Sequence, residues 1–171
     1  ALALAEVMEE HDRLLLVNTC SKYWAMTGWR LGGSGAHPAL GQLFENLVQY
    51  STSGVAGFMQ RAGVAALTQG RDFLLFQIER AKNGRAIVCD ALSASSRLRF
   101  SPPDGAFYAF FAVDGFENSR TAALQLIDEA NIGLAPGMAF NEGGEAFLRI
   151  CFARSDNQLE EAMARLTAWL R

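Results

Sequence analysis

The sequence predicts an α/β protein whose second part, beyond Ser96, has an α+β texture. Three observations carry this. A short apolar run at residues 14–17 (LLLV) suits a buried strand and gives way at residues 18–21 to a polar turn. Helical patterns then follow from Pro38 to about Ser95. After Ser96, short strand-like segments alternate with helices and end in a strand at residues 146–153 and a helix opening at Ser155.

Taken in order, the first helix covers residues 38–50. Leu40, Leu43, Phe44, Leu47 and Val48 fall at i, i+3, i+4, i+7 and i+8, Pro38 suits the first helical position, and Gln42, Glu45 and Asn46 form the polar edge. Residues 57–68 are rich in small side chains (Ala62, Gly63, Ala65, Ala66) and predict a helix packed closely against a neighbour. From Arg71 to about Ser95 a long helical pattern is interrupted at Asn83 and Gly84. Glycine inside a helix costs about 1 kcal/mol relative to alanine, which makes this point a candidate bend or domain junction. Residues 97–100 and 106–113 read as strands around a Pro102-Pro103-Asp104-Gly105 turn, residues 119–130 as a helix and 133–135 as a short extended piece. The last helix has Gln158 three residues after Ser155, a capping-box spacing, and runs through Leu159, Ala162, Met163, Leu166 and Leu170.

Composition narrows the functional classes. With 171 residues, half of them hydrophobic, and a net charge of −3, the chain makes no electrostatic bid for nucleic acid. Cys20, Cys89 and Cys151 are widely spaced in apolar stretches and read as reduced thiols of a cytoplasmic protein. His11 and His37 have no partner at metal-ligand spacing, so no metal is expected. The opening residues lack a basic region and carry Glu6, Glu9, Glu10 and Asp12, which argues against a signal peptide, and no apolar stretch reaches membrane-spanning length.

Residues 18–33 (NTCSKYWAMTGWRLGG) set Lys22 among Thr19, Ser21 and Arg30. Most lysines are solvated surface charges. This one follows a strand end, where open α/β sheets bind ligands. Its amine could form a Schiff base, Arg30 offers a fixed fork of donors for a phosphate, and Thr19 and Ser21 add two hydroxyls. The run resembles the lysine-loop signature S-x-S-K-x-x-x-M-T-G-W-R-x-G of fold-type I pyridoxal-phosphate enzymes in the aspartate aminotransferase superfamily. Thr19 replaces the first serine and keeps its hydroxyl.

The strand at residues 146–153 (AFLRICFA) alternates, with Leu148, Ile150 and Phe152 on one face and Phe147, Arg149 and Cys151 on the other. Arg149 is its only charge, and a buried charge without a partner costs several kcal/mol. A structural ion pair with an acid of the fold answers that cost. So does a fork held open for a ligand carboxylate, which arginine grips with two parallel hydrogen bonds. Residues 102–110 (PPDGAFYAF), 134–140 (LAPGMAF) and 144–153 (GEAFLRICFA) resemble, in order and spacing, the small-domain series P-x-G-A-F-Y-x-F, P-G-x-x-F-G and G-E-x-x-x-R-x-x-F-A of the same superfamily. Asn141 departs from it, standing where glycine usually follows the phenylalanine.

The resemblance implies an aspartate aminotransferase-like α/β fold. Residues 1–76 would be the end of the pyridoxal-phosphate-binding large domain and residues 77–171 the small α+β domain. It implies transamination between an amino acid and a 2-oxo acid in a cytoplasmic homodimer, with pyridoxal 5'-phosphate as cofactor and no nucleic-acid or membrane partner. Lys22 takes the role of Schiff-base lysine and proton carrier, Arg30, Thr19 and Ser21 that of cofactor contacts, and Arg149 that of substrate-carboxylate binder. The family's aspartate for the ring nitrogen, its ring tyrosine and asparagine and its glycine-rich phosphate turn have no counterpart before Lys22, and Asp12 lies too close to the lysine to match. The sequence therefore reads as the carboxy-terminal portion of a longer enzyme. A lyase or racemase of the same fold, the cofactor-sensing domain of a transcription regulator, and an inactive remnant are the alternatives. Trp24, Phe107 and Tyr108 could serve core or substrate pocket, which leaves the substrate open.

Overall fold

The structure, a computed structural model, describes residues 14–171. The readings made of residues 1–13, His11 and Asp12 among them, lie outside the described residues. Internal contacts divide the chain into two compact units, Ala1–Gln77 and Ile78–Arg171.

In the first unit β1 (Leu16–Thr19) pairs antiparallel with β2 (Gly32–Gly35), Leu16 opposite Gly35 and Thr19 opposite Gly32. The strand thus keeps Asn18 and Thr19, and the turn expected from residue 18 begins at Cys20. A 3-10 turn at Pro38–Leu40, in which the His37 ring accepts the Ala39 N–H at 3.0 Å, leads into α1 (Gly41–Ser51). Helices α2 (Gly57–Gln69) and α3 (Arg71–Ser93) follow, the latter running on past Gln77. The small residues of α2 do permit a close approach: a Cβ on Gly63 would strike the Leu31 side chain.

Burial in this unit corrects the sequence reading. Val17 is 73% exposed, so β1 is no buried strand among the described residues, and of the apolar stripe on α1 only Phe44 is half-buried, with Leu43 and Leu47 each more than 50% exposed. Of residues 14–77, only Cys20, Met26 and Gly63 are buried. The amphipathic pattern forms the helix, while its apolar face meets no cover within the described residues.

The second unit has a real core. Strands β3 (Leu98–Phe100), β4 (Tyr108–Val113), β5 (Ala135–Pro136) and β6 (Phe147–Cys151) form one antiparallel sheet in the order β3-β4-β6-β5. Two helices complete the unit, α4 (Ser119–Ala130) and α5 (Asp156–Trp169). Ala109, Phe111 and Val113 of β4 and Leu148 and Ile150 of β6 bury one sheet face in a cluster with Val88 and Leu92 of α3, Leu126 of α4 and Met163 and Leu166 of α5. Each such leucine or phenylalanine taken fully from water contributes about 1.5–3 kcal/mol.

Helix α4 is capped by Asn118, whose side chain accepts the N–H groups of Arg120 and Thr121, and ends at Asn131 in the left-handed conformation. The capping box expected at Ser155 does not close. Ser155 is the N-cap, but its hydroxyl makes no cap bond, and residues 155–158 are exposed so that water can serve the open N–H groups. No helix of the described residues is long and apolar enough to cross a membrane.

The helical pattern is interrupted at Asn83 and Gly84, the candidate bend or domain junction, yet α3 is continuous through them from Arg71 to Ser93. Gly84 is buried where α3 meets the end of β6, and a Cβ there would run into the Phe152 carbonyl oxygen and come within 2.9 Å of Leu159 Cδ1. Glycine at this position serves close packing. Gly84→Ala should therefore destabilise the protein by about 1–3 kcal/mol, as overpacking does, in thermal or urea unfolding. A stabilisation of about 1 kcal/mol, the gain expected from helix propensity alone, would show that the contact yields without cost.

Candidate functional site

The lysine loop is closed at its base. Beside the Thr19 and Gly32 pair, the Cys20 N–H donates to the Leu31 carbonyl at 3.0 Å, so residues 20–31 leave and return at one point. Inside the loop, the Trp24 N–H donates to the Cys20 carbonyl at 3.3 Å and the Ala25 N–H to the Lys22 carbonyl at 3.4 Å, which winds the chain into a turn around Lys22. A 3-10 turn at Thr27–Trp29 carries it back. Ala25 and Arg30 both hold positive φ, 52° and 50°. For residues with a Cβ that conformation costs about 1–3 kcal/mol each, and here it reverses the backbone so that Arg30 arrives next to the loop base.

Two hydroxyls meet at that base. The Thr19 hydroxyl donates to Ser21 Oγ at 3.0 Å and accepts the Ser21 N–H at 3.1 Å. Arg30 donates from Nη1 to the Thr27 carbonyl at 3.0 Å, which spends one of its five N–H donors. Cys20 and Met26 are buried and pin the loop, while Thr19, Lys22 and Arg30 remain exposed. Trp24 lies against Gly70, where a Cβ would come within 2.6 Å of its ring nitrogen, so this ring serves packing. The result is a primary amine on a loop with two hydroxyls and a guanidinium, a donor set that suits a phosphorylated aldehyde.

Arg149 belongs to the second unit. It lies on β6 opposite Phe110 of β4 and Ala135 of β5, on the sheet face turned away from the core. The side chain is half-buried, and no ion pair joins it among the described residues. Its neighbours are rings: the guanidinium carbon is 4.2 Å from the Tyr108 ring centre and 3.9 Å from that of Phe140. Phe140 reaches this place through a tight backbone approach. A Cβ on Gly137 would meet the carbonyl oxygens of Gly144 and Phe147, and one on Gly144 that of Gly137, so two glycines let the 3-10 turn Gly137–Ala139 lie directly on the entry to β6. The fully buried Ser119 ties the same turn to α4, its hydroxyl accepting the Met138 N–H at 3.3 Å.

Asn141, the departure from the family pattern, takes part in the following turn, its carbonyl accepting the Gly144 N–H at 3.2 Å. The N–H groups of Glu145 itself and of Gly143 hold the Glu145 carboxyl below the usual carboxylate range. The three cysteines are free, and burial pushes the Cys89 thiol up, which marks it as inert core. Among the described residues no group of three or more His, Cys, Asp or Glu could hold a metal ion. The sequence reading named neither Tyr108 nor Phe140 as a neighbour of Arg149. Alternation on β4 carried half of that signal, since Tyr108 and Phe110 share a face.

The profile of the family "Aminotransferase class I and II" matches residues 1–166. An aspartate aminotransferase of Rhizobium meliloti is 34% identical over 168 residues, covering 92% of this chain and 40% of the relative. A probable N-acetyl-LL-diaminopimelate aminotransferase of Bacillus subtilis is 33% identical over 156 residues, covering 91% and 39%. The crystal structure of an aromatic aminotransferase from Pyrococcus horikoshii superposes with a TM-score of 0.86 at 31% identity, covering 93% of this chain and 43% of that one. The chain thus spans about two fifths of the length of these relatives. Motif, fold and comparison agree, and the chain belongs to the class I and II aminotransferases with an aspartate aminotransferase-like α/β fold.

Proposed function

We propose that this chain is the carboxy-terminal portion of a pyridoxal-phosphate-dependent aminotransferase, with residues 1–76 closing the cofactor domain and residues 77–171 forming the small domain. The observation that carries the reading is the loop at residues 20–31, closed at its base beside the Thr19 and Gly32 pair and carrying Lys22 and Arg30, with the Thr19 and Ser21 hydroxyls bonded to each other at its start. The exposed apolar stripe of α1 supports the domain assignment, because a helix with Leu43 and Leu47 in water is incomplete without further protein. Family membership supports reading the whole protein as a cytoplasmic homodimer acting on an amino acid and a 2-oxo acid.

Pyridoxal phosphate, when bound, supplies an aldehyde and an electron-accepting ring that eases loss of the Cα proton from an amino acid. The residues of this chain divide the remaining work. Lys22 would hold the aldehyde and, with its amine free, would carry the proton at Cα. Arg30 neutralises the phosphate, with Thr19 and Ser21 as hydroxyl donors to it. Arg149 would hold the substrate carboxylate with its planar fork of donors.

Three measurements on the full-length, cofactor-loaded protein test these roles. Borohydride reduction should fix the cofactor on the peptide containing Lys22; label on Lys82, the other lysine of this chain, would overturn the assignment. Arg30→Leu should weaken cofactor affinity by about 1.5–3 kcal/mol, the worth of a charge-assisted contact, and unchanged affinity would make Arg30 a residue of loop structure only. Arg149→Lys should keep the absorbance of the bound cofactor while kcat/KM toward amino acids falls, because lysine retains the charge and loses the fork. An amine lacking the carboxylate should lose far less; if it suffers equally, the carboxylate is bound elsewhere.

A further inference from the structure

Arg149 is a half-buried cation whose contacts are two rings and, among the described residues, no carboxylate. A buried guanidinium must be compensated, and an acid of the fold would do so by occupying the in-plane N–H donors that a ligand needs. Ring faces compensate differently. They offer π charge to the guanidinium without supplying an acceptor oxygen, and at 3.9 Å from the Phe140 ring centre the central carbon is in van der Waals contact with that ring. The charge is thereby compensated while the fork stays uncommitted.

Both rings are held in place. Tyr108 sits on β4, two residues from Phe110, which is paired with Arg149 in the sheet. Phe140 is 45% exposed, too open to be placed by burial. Its N–H donates to the Gly137 carbonyl at 2.9 Å, its ring meets Phe110 edge-on at 6.0 Å between centres, and its turn is fastened by the Gly137 and Gly144 approach and by Ser119. That is considerable anchoring for one half-exposed ring.

We propose that Tyr108 and Phe140 are positioning residues that clamp the Arg149 guanidinium between aromatic surfaces, so that it stays unpaired and in one orientation for the carboxylate of the substrate. This rests on the assignment of Arg149 to the substrate carboxylate. The rings contribute affinity for that group alone and act through Arg149. A leucine at either position keeps apolar bulk and removes the π charge, whereas Phe140→Tyr and Tyr108→Phe keep a ring.

The test uses the full-length protein loaded with pyridoxal phosphate. Phe140→Leu and Tyr108→Leu should each lower kcat/KM for amino acids by about three- to thirtyfold, chiefly through KM, which matches a contact of cation–π strength. The ring-keeping variants should restore it, and alkylamines of the same side chains should lose far less than the amino acids. Independently of turnover, the Arg149 Nε–Hε resonance, identified by its loss in Arg149→Lys, should lie upfield of the other arginines and move back in each leucine variant. Amino-acid kcat/KM at the wild-type level in both leucine variants, beside a crippled Arg149→Lys, overturns the clamp and leaves the carboxylate assignment standing. An ordinary wild-type Arg149 resonance also overturns the clamp. If Arg149→Lys itself is silent toward amino acids, the assignment fails and the clamp falls with it. A leucine variant that melts early and loses amine and amino-acid turnover alike shows a structural role instead.

Discussion

The pairing of Phe110 with Arg149 across β4 and β6 is the constraint on which the second unit depends. A strand has a period of two, so the register that sends Ala109, Phe111, Leu148 and Ile150 into the core must send Tyr108, Phe110, Phe147 and Arg149 to the other face. A slip of one residue would bury the guanidinium among leucines. The packing energy of the core thereby holds a charged group at a defined place on a sheet face lined by aromatic rings.

Backbone proximity does the corresponding work at the sheet edge. Gly137 and Gly144 approach so closely that any side chain would separate them, and this approach sets the path of the turn that delivers Phe140. Gly84 performs the same service between α3 and the end of β6. In each case a glycine, at Gly84 one that helix propensity marks as a weakness, lets an element come near enough to its neighbour. Propensity is a statement about an isolated segment, and burial against a carbonyl is worth more than the helix preference given up.

The two units contrast in how they satisfy their apolar residues. The second closes a sheet, two helices and the end of α3 over one cluster. The first forms its helices and its lysine loop with little buried interior among the described residues, and holds strained backbone at Ala25 and Arg30 where the loop turns back to its base at Leu31 and Gly32. Such strain is retained where a reversed chain path is needed, here as at Ser53, Ala106 and Asn131.

Local pattern alone determined much. The period of Leu40, Leu43, Phe44, Leu47 and Val48 made α1 a helix, the limits of α4 were readable from its pattern, and alternation on β6 separated Arg149 from the core residues beside it. The motif around Lys22 was legible because its residues are contiguous. Tertiary structure decided what contiguity cannot carry. The hairpin of β1 with β2 depends on Gly32, a residue whose pairing partner is Thr19, thirteen positions earlier. The capping box at Ser155 was spelled correctly and did not close, since water competes for an exposed helix end. Which side chains lie within a few ångströms of Arg149 was likewise out of reach of spacing. Those are rings brought there by β4 and by the Gly137 turn, and three-dimensional proximity between distant segments is not encoded in the spacing of either one.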